Sequence, residues 1–354
     1  MRGDVTCRHI QEQLHHFDGI EEKAMARRLM THWERIDAAV SGEEVDQTPV
    51  SMWRHHPVID RDPVRLAEAM VQWQRKYDFD LVKFMPSGTY SVEDWGAVSE
   101  YRNAPNGTRI IAVPGITSVE QWGKLRRLSP KEGRMGLELH ALKLATDALK
   151  SEVPVLQTVF SPLTSAFKLA GEQVFEHLRR SPDAFEEGLA VIAETTLGFV
   201  KESFRAGAHG VFFATQCATS NLLSAEEYTR FGTRYDRIVL DALVGEARYV
   251  MLHMHGSRVM FKELSDYPVN MWNWHDRDGE LSLAEGLSEF SGMVVGGISE
   301  HRTLLTGTSA DIAHEVREAI AQTKGRRLMI GPGCVLPMAI APDAVRSVVE
   351  ACRD

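Results

Sequence analysis

Residues 210–254, GVFFATQCATSNLLSAEEYTRFGTRYDRIVLDALVGEARYVMLHM, contain the structural unit that decides the fold. Two short apolar runs, GVFFAT (210–215) and YVMLHM (249–254), flank a longer segment whose apolar residues recur at helical spacing. The longer segment opens with SAEE (224–227), a capping box that marks the start of a helix. The pattern therefore predicts a strand, a helix and a second strand, which is the unit of a parallel α/β sheet.

The same alternation extends in both directions from this unit. Eight short apolar or β-branched runs predict strands, at 49–53 (PVSMW), 79–85 (FDLVKFM), 153–160 (VPVLQTVF), 210–215 (GVFFAT), 249–254 (YVMLHM), 269–274 (VNMWNW), 293–297 (MVVGG) and 327–331 (RLMIG). Helical patterns separate most of them, such as 62–76 and the closing helix 343–352. Eight alternations in about 300 residues predict a (β/α)8 TIM barrel, since a doubly wound sheet needs fewer strands and often a glycine-rich phosphate loop.

Two segments fall outside the alternation. Residues 1–47, with a helical pattern over 20–39, predict an N-terminal helical extension that precedes a barrel domain of residues 48–354. Residues 93–115 contain Asn103, Pro105, Asn106 and Gly107 and interrupt the pattern after the second strand. We expect a long loop or a hairpin inserted at that point.

Composition excludes several classes of protein. The 354 residues are 44% hydrophobic and 25% charged, and 49 acidic against 40 basic side chains give a net charge of −9, without a basic stripe for nucleic acid. No apolar run approaches the ~20 residues that span a bilayer, and the polar N-terminus does not look like a signal peptide. Four scattered cysteines do not make a disulfide framework. We expect a cytoplasmic enzyme or binding protein with a small-molecule ligand.

A barrel gathers its active site at the carboxyl ends of the strands, and there the sequence places His253, His255 and Cys334. His253 and His255 are two residues apart on one strand and so share a face, and Cys334 follows the last strand in IGPGCVLP. Each has an ordinary structural interpretation, as a rim histidine or as a small buried hydrophobe. Together they would give Zn²⁺ three ligands and leave a fourth position open, as in catalytic zinc sites.

Six segments, in order, resemble the uroporphyrinogen decarboxylase superfamily: PVSMWRHHP, VFSPLTSAFKLAG, MLHMHG, WNWHDRDGELSLAEG, GGISEHRTLLTGT and GPGCVLP. The resemblance covers most of the chain from about residue 48 and implies a (β/α)8 barrel. It also implies one of two chemistries, metal-free uroporphyrinogen decarboxylation or zinc-dependent methyl transfer between corrinoid proteins and thiols. Family members are often dimers, so the resemblance implies a homodimer.

The methyltransferase branch is the better match. It binds zinc through a His-x-Cys pair after the fifth strand and a cysteine after the eighth, so His253 and Cys334 match and His255 stands in place of the first cysteine. Replacing a thiolate by imidazole makes the metal a stronger Lewis acid and a bound thiolate less nucleophilic. True decarboxylases need an aspartate after the second strand, where this sequence has MPSG, and a Gly-His-Gly near Cys334.

Other strand-end residues are candidates for substrate contacts or catalysis. Lys83 lies in an apolar strand and predicts an anion contact or a buried ion pair, and Arg54 and His56 share a side and predict an anion contact or a rim salt bridge. We list His275, Arg54 and Lys83 as candidate catalytic residues, and His56, Tyr90, Gln216 and Asp276 as candidate substrate-binding residues. Asp276 and His275 are adjacent, as in a pair that fixes an imidazole tautomer or supports a zinc ligand.

Three functions compete at this stage. The first is a zinc-dependent methyltransferase whose metal, held by His253, His255 and Cys334, activates a thiol or similar nucleophile. Its methyl donor would be a methylcorrinoid on a separate protein, because the sequence lacks an Asp-x-His-x-x-Gly corrinoid motif. The second is a metal-assisted decarboxylase, lyase or hydrolase for a small carboxylated substrate, and the third is a non-catalytic binding barrel.

Overall fold

A computed structural model of the protein describes residues 29–353, and the chain from His32 onward forms one compact unit. In the described part of the chain, seven parallel strands form one curled sheet, in the order β1, β4, β5, β6, β7, β8 and β9. Their bounds are β1 Val82–Phe84, β4 Val155–Phe160, β5 Gly210–Thr215, β6 Tyr249–Met254, β7 Met271–Trp274, β8 Met293–Ile298 and β9 Leu328–Pro332. A separate antiparallel hairpin consists of β2 Val98–Glu100 and β3 Ile110–Val113.

Helices follow the strands as the alternating pattern predicts. The α-helices are α1 His32–Ser41, α2 Pro63–Tyr77, α3 Tyr90–Glu93, α4 Gly133–Leu149, α5 Pro162–Ala170, α6 Gln173–Arg180, α7 Pro182–Arg205, α8 Ala225–Tyr228, α9 Arg234–Leu240, α10 Phe261–Leu264, α11 Leu283–Glu289, α12 Thr303–Thr306, α13 Ser309–Thr323 and α14 Pro342–Arg353. Short 3₁₀ turns occupy Val119–Lys124 and Asp241–Leu243, and a π turn, Thr229–Thr233, joins α8 to α9.

Local capping chemistry explains where several helices begin. The Asp62 carboxylate accepts hydrogen bonds from the backbone N–H groups of Val64 and Arg65, and Pro63 supplies the first helical position. The predicted capping box at Ser224 is present, with Glu227 as its partner. These caps depend only on nearby residues, which is why the sequence predicts them correctly.

The sheet is buried on both faces. Every residue of β4, β5, β6 and β8 is buried, because helices cover the outer face and the side chains of the curled sheet fill the inner one. This double burial explains why the strands appear in the sequence as continuous apolar runs rather than as an alternation of apolar and polar residues.

The predicted first strand, 49–53, is wrong as a strand, so the eight-stranded prediction is confirmed only as a seven-stranded curled sheet. This segment makes an isolated bridge between Val50 and Ile330, and its backbone hydrogen-bonds to Ile330 on one side and Asp80 on the other. Pro49 has no N–H to donate, and the N–H of Val50 donates to the Asp80 carboxylate at 2.9 Å instead of to a neighbouring strand. The ladder therefore cannot extend.

The predicted insertion over 93–115 forms the β2–β3 hairpin, whose loop lies over the carboxyl end of the sheet. Gly107 adopts φ +77°, and a side chain there would meet Met338 and His55 within about 3 Å. Glycine therefore allows both the turn and the close approach of the loop.

The helix predicted over 20–39 lies partly outside the described residues. Within them, the first helix begins at His32. The boundary at residues 47/48 between extension and barrel stays a prediction. No helix among the described residues combines the length and apolar character needed to cross a membrane.

Candidate metal centre

Four side chains that can each donate one metal ligand atom converge at the carboxyl end of the sheet. They are His253, His255, His275 and Cys334, and their ligand atoms all lie within 4.8 Å of one another. His255 Nδ1 is 3.4 Å from His275 Nε2 and 3.7 Å from Cys334 Sγ. Three imidazoles and a thiol at these separations match the nitrogen and sulfur donors that zinc takes in proteins.

His253 is held by a neighbouring strand. In the parallel register it pairs with Ala214 on β5 and with Asn273 on β7, so the side chains of His253 and Asn273 lie side by side. His253 Nδ1 is 2.6 Å from Asn273 Oδ1, while the Asn273 amide donates to the carbonyls of Val295 and Pro332. Because the amide nitrogen is committed to those carbonyls, its oxygen accepts the Nδ1 proton, and Nε2 of His253 keeps a free lone pair.

Cys334 is positioned by a tight turn after β9. The backbone N–H groups of Gly333 and Cys334 both donate to the Glu300 carboxylate, at 3.2 and 2.9 Å. A Cβ at residue 333 would lie 3.0 Å from the Cα atom of His275, so glycine lets the turn pack against the end of β7. Glu300 Oε1 also lies 3.9 Å from His275 Nδ1. One carboxylate therefore supports two members of the cluster.

Burial keeps the strand-end imidazoles neutral. Desolvation lowers the pKa of His253 well below its ordinary value, with further lowering from His255 and His275, and it also lowers the pKa of His255. A neutral imidazole has a lone pair for a metal, whereas an imidazolium does not. These two imidazoles are therefore able to bind a metal at neutral pH.

A cavity of about 290 Å³ opens beside the cluster and is lined by His253, His255 and Cys334. Aromatic side chains of Trp53, Phe160 and Phe212 form part of its wall, and Gln216, Lys83 and Lys168 also line it. Burial lowers the pKa of Lys83 to about 7 and that of Lys168 to about 8. The cavity thus combines metal ligands, apolar walls and two amines.

Residues 31–354 match the family model described as uroporphyrinogen decarboxylase (URO-D). The chain belongs to the uroporphyrinogen decarboxylase family. It is similar to the methylcobamide:CoM methyltransferase MtbA of Methanosarcina acetivorans, with 21% identity over 240 residues, which cover 68% of this chain and 69% of the relative. It is also 23% identical to MtbA of Methanosarcina mazei over 241 residues, again 68% and 69% of the two chains. These relatives support an enzyme of the methyltransferase kind.

Solved structures show the same fold. A methyltransferase from Methanosarcina mazei superimposes with a TM-score of 0.77 at 20% identity and covers 91% of this chain and 98% of its own. A B12-independent methionine synthase from Shewanella sp. W3-18-1 gives a TM-score of 0.54 at 13% identity, covering 88% and 94%. At these identities the likeness concerns the fold alone.

The structure brings together the predicted metal ligands and places Lys83 and Gln216 in the cavity wall. His275, predicted as a catalytic residue, lies within ligand distance of His255. Five predicted site residues do not line the cavity. These are Arg54, His56, Tyr90, His275 and Asp276.

Apart from His275, each of these residues has a different environment. The Arg54 guanidinium lies over the Trp73 ring, 5.5 Å from its centroid, and burial lowers the pKa of His56 to about 4. The Tyr90 hydroxyl donates to the Thr158 carbonyl at 2.8 Å, behind the cavity wall. The Asp276 carboxylate accepts from the Gly297 N–H, and burial raises its pKa to about 7. The contacts described for Arg54, Tyr90 and Asp276 are with other parts of the protein.

The site also contains residues that were not among the predicted site residues. His55, which is buried and whose pKa burial lowers to about 3, lines the cavity between the predicted Arg54 and His56. Lys168 enters from α5, and Asn273 supports His253 from β7. A signal was available for Asn273, since it is a polar residue inside the apolar run MWNW, and for Lys168, a charge in the apolar helix PLTSAFKLA.

Proposed function

We propose that the protein is a zinc-dependent methyltransferase that moves a methyl group from a corrinoid, carried by a separate protein, to a small thiol. The observation that supports this most strongly is the cluster of four ligand atoms within 4.8 Å beside a cavity. The similarity to methylcobamide:CoM methyltransferases adds the reaction class. His253, His255 and Cys334 are the proposed ligands, and His275 is within reach of the same ion.

The donor set fits zinc on its own chemistry. A buried imidazole, two half-buried imidazoles and one thiol supply nitrogen and sulfur donors, without the multiple carboxylates that magnesium or calcium prefers. Zinc bound there would lower the pKa of a coordinated thiol, and so supply a thiolate at neutral pH. Asn273 would hold the proton of His253 on Nδ1 through its hydrogen bond, and so leave Nε2 free to bind the ion.

The chain's own residues define the rest of the site. The Glu300 carboxylate fixes the Cys334 turn through two backbone N–H groups, so the thiol cannot rotate away with the loop. Trp53, Phe160 and Phe212 exclude water from the acceptor's carbon chain. Gln216 offers an amide for the acceptor's polar atoms.

The methyl donor must reach this site from outside. A cavity of about 290 Å³ is at the lower end of the ~300–1,000 Å³ that drug-sized ligands occupy, and a corrinoid macrocycle is far larger. Methyl transfer from such a donor would break the carbon–cobalt bond, leave its electron pair on cobalt and form a carbon–sulfur bond. We further propose that residues 49–53 close the curled sheet into a full barrel, since they hydrogen-bond to Ile330 and Asp80 on its two edges.

Metal content and methyl transfer test the function together. We expect near-stoichiometric zinc in protein purified without added metal, and loss of most of it in His253→Ala and Cys334→Ser. Free methylcobalamin and a simple thiol provide the activity assay, read from the cobalamin absorbance. Cys217→Ala, which removes a buried thiol whose pKa burial raises to about 12, and His314→Ala on an exposed helix face are matched controls.

Three outcomes separate the competing functions. Zinc together with methyl transfer supports the proposal. Zinc without transfer to any thiol contradicts it and favours metal-assisted lyase chemistry on a carboxylated substrate. Full metal occupancy in both ligand variants, or no metal after gentle purification, contradicts the metal centre and favours a binding barrel.

His255 is the ligand at which this chain departs from its family pattern, and His255→Cys tests it directly. If His255 binds the metal, X-ray absorption of the zinc protein should show one sulfur ligand in the wild type and two in the variant. The added thiolate should also make a bound substrate thiolate more nucleophilic. An unchanged sulfur count would mean that His255 contacts the substrate and not the metal.

A further inference from the structure

The cavity beside the metal cluster is lined by three cationic side chains, and only one of them has an acidic partner. Arg109 is bonded to the Asp60 carboxylate at 3.1 Å. Lys83 and Lys168 have no carboxylate within ion-pair distance among the described residues, and no aspartate or glutamate of the described chain lines the cavity. Buried cations are normally paired, so two unpaired amines facing one cavity point to anionic groups in the ligand.

Lys83 is held against aromatic rings and sulfur rather than against an acid. Its side chain is 3% exposed, and its Nζ lies 4.2 Å from the centroid of Phe212 and 5.7 Å from that of Trp53. Its amine donates to the Met85 sulfur at 2.6 Å. Ring faces and a thioether stabilise a buried ammonium group far less than a carboxylate does, so this amine retains most of its capacity to bind an anion.

Lys168 reaches the cavity from a different element. It belongs to the helix Pro162–Ala170, and its Nζ lies 4.4 Å from the centroid of Phe160 at the end of β4. Lys83 instead belongs to β1, in register with Leu156, four residues earlier on β4. The two amines therefore reach the cavity from different elements and lie over different rings, Lys83 over Phe212 and Lys168 over Phe160.

Charge balance at the proposed metal centre leads in the same direction. With neutral imidazoles and one thiolate as ligands, Zn²⁺ would retain a net positive charge. A substrate thiolate would cancel that charge and leave the two ammonium groups. A low-dielectric cavity disfavours such an excess of positive charge.

We propose that the acceptor is a small thiol carrying two acidic groups, one bound by Lys83 and the other by Lys168. The thiol in this statement rests on the proposed function, whereas the two-point anion site rests on the cavity itself. The volume of about 290 Å³ limits the acceptor to a short carbon chain. A dicarboxylic thiol fits this description.

Two series of probes test the proposal on the intact wild-type protein by titration calorimetry. The first is thiol-free: succinate against propionate, measured on zinc-loaded and on zinc-stripped protein. The second keeps the thiol and varies the charge: 2-mercaptoethanol, 3-mercaptopropionate and mercaptosuccinate. We expect each added acidic group to tighten binding about tenfold to hundredfold, as for a charge-assisted hydrogen bond.

Lys83→Met and Lys168→Met identify the groups responsible, and thermal unfolding checks that both variants fold. Each variant should bind mercaptosuccinate only as tightly as the wild type binds 3-mercaptopropionate. Lys201→Met, an exposed lysine on helix α7, should leave every affinity unchanged.

Affinity that does not change with charge, a gain from only one acidic group, or a gain that survives both lysine substitutions would overturn the two-point site. Succinate binding that requires zinc but neither lysine would also overturn it, because the carboxylate would then be a metal ligand. If zinc and methyl transfer are absent but succinate still binds through both lysines, the proposed function fails and the anion site stands.

Discussion

The two ends of the parallel sheet bury charge in opposite ways. At the amino end, Arg35 forms ion pairs with Asp46 and Asp80, and Asp80 also accepts from the N–H of Val50 and faces His32. At the carboxyl end, Lys83 and Lys168 line the cavity without an acidic partner in the described chain.

The difference separates structure from function. Removing one partner of a buried ion pair destabilises the fold, because the other charge is left uncompensated, whereas a buried charge that has no partner costs stability until a ligand binds. The ion pairs at the amino end join the segment 49–53 to the edges of the sheet. At the carboxyl end, the two lysines have no acidic partner in the described chain, as expected of groups that bind an anionic substrate. Substitutions at the two ends should therefore change stability in opposite directions.

The largest effect should come from Asp80→Ala. Removing this carboxylate leaves the buried Arg35 with one partner fewer and the N–H of Val50 without an acceptor, so we expect a loss of about 3–5 kcal/mol in the free energy of unfolding. Urea unfolding followed by circular dichroism measures it. Asp147→Ala, which breaks the exposed pair with Lys143, should cost less than about 1 kcal/mol. Equal losses in the two variants would contradict the contrast between buried and exposed pairs.

Lys83→Met should act in the opposite direction and stabilise the ligand-free protein at pH 7 by about 2 kcal/mol, since it replaces an unpaired buried amine by an apolar side chain. Burial lowers the pKa of Lys83 from 10.5 to about 7, so the unfolded chain binds more protons between these values. The free energy of unfolding of the wild type should therefore increase relative to that of the variant as pH rises from 7 to 10.5. A variant less stable than the wild type at pH 7 would show that Lys83 has a protein partner.

Most of the fold can be predicted from the local sequence pattern. The exception is segment 49–53, whose structure depends on one long-range contact. Seven of the eight predicted strands form, because burial on both faces leaves a continuous apolar run. The run at 49–53 is equally apolar, but the Asp80 carboxylate takes the Val50 N–H from thirty residues away. A side-chain contact of that kind leaves no trace in the periodicity of the segment itself.

The site is predictable where a regular strand fixes the side-chain direction. His253 and His255 follow from the alternation of a regular strand, and Cys334 from its place after the last one. The same argument assigned Arg54 and His56 to one side, and the structure instead places His55 in the cavity. Residues beyond Trp53 follow a bridge and not a strand, so no ladder fixes which residue faces inward.

Asn273 should affect the affinity of the cluster for zinc. Asn273→Leu removes the acceptor of the His253 Nδ1 proton, and we expect zinc to bind about 10–100-fold more weakly in a competition with a chelator. Asn273→Asp keeps an acceptor and loses the donations to Val295 and Pro332, so recovery of affinity would assign the effect to the tautomer. Gln157→Leu, a buried amide outside the cluster, is the control and should leave zinc affinity unchanged.

The smallest effect should come from His32, which belongs to the ion-pair network at the amino end of the sheet but is one fifth exposed. Its hydrogen bond with Asp80 at 2.9 Å is the main reason that its pKa is raised above 6.5. A raised pKa means that the folded protein holds the proton more tightly, so the stabilisation is complete below pH 6.5 and is lost as pH rises through the folded value. His32→Gln should therefore cost about 0.5–1 kcal/mol at pH 5.5 and much less at pH 8.5, by urea unfolding at each pH. His140→Gln, on the exposed face of α4, should cost the same at both. If the loss of unfolding free energy in His32→Gln did not depend on pH, the imidazole would act through packing. The electrostatic stabilisation of the amino end would then come from Arg35 and its carboxylate partners without His32.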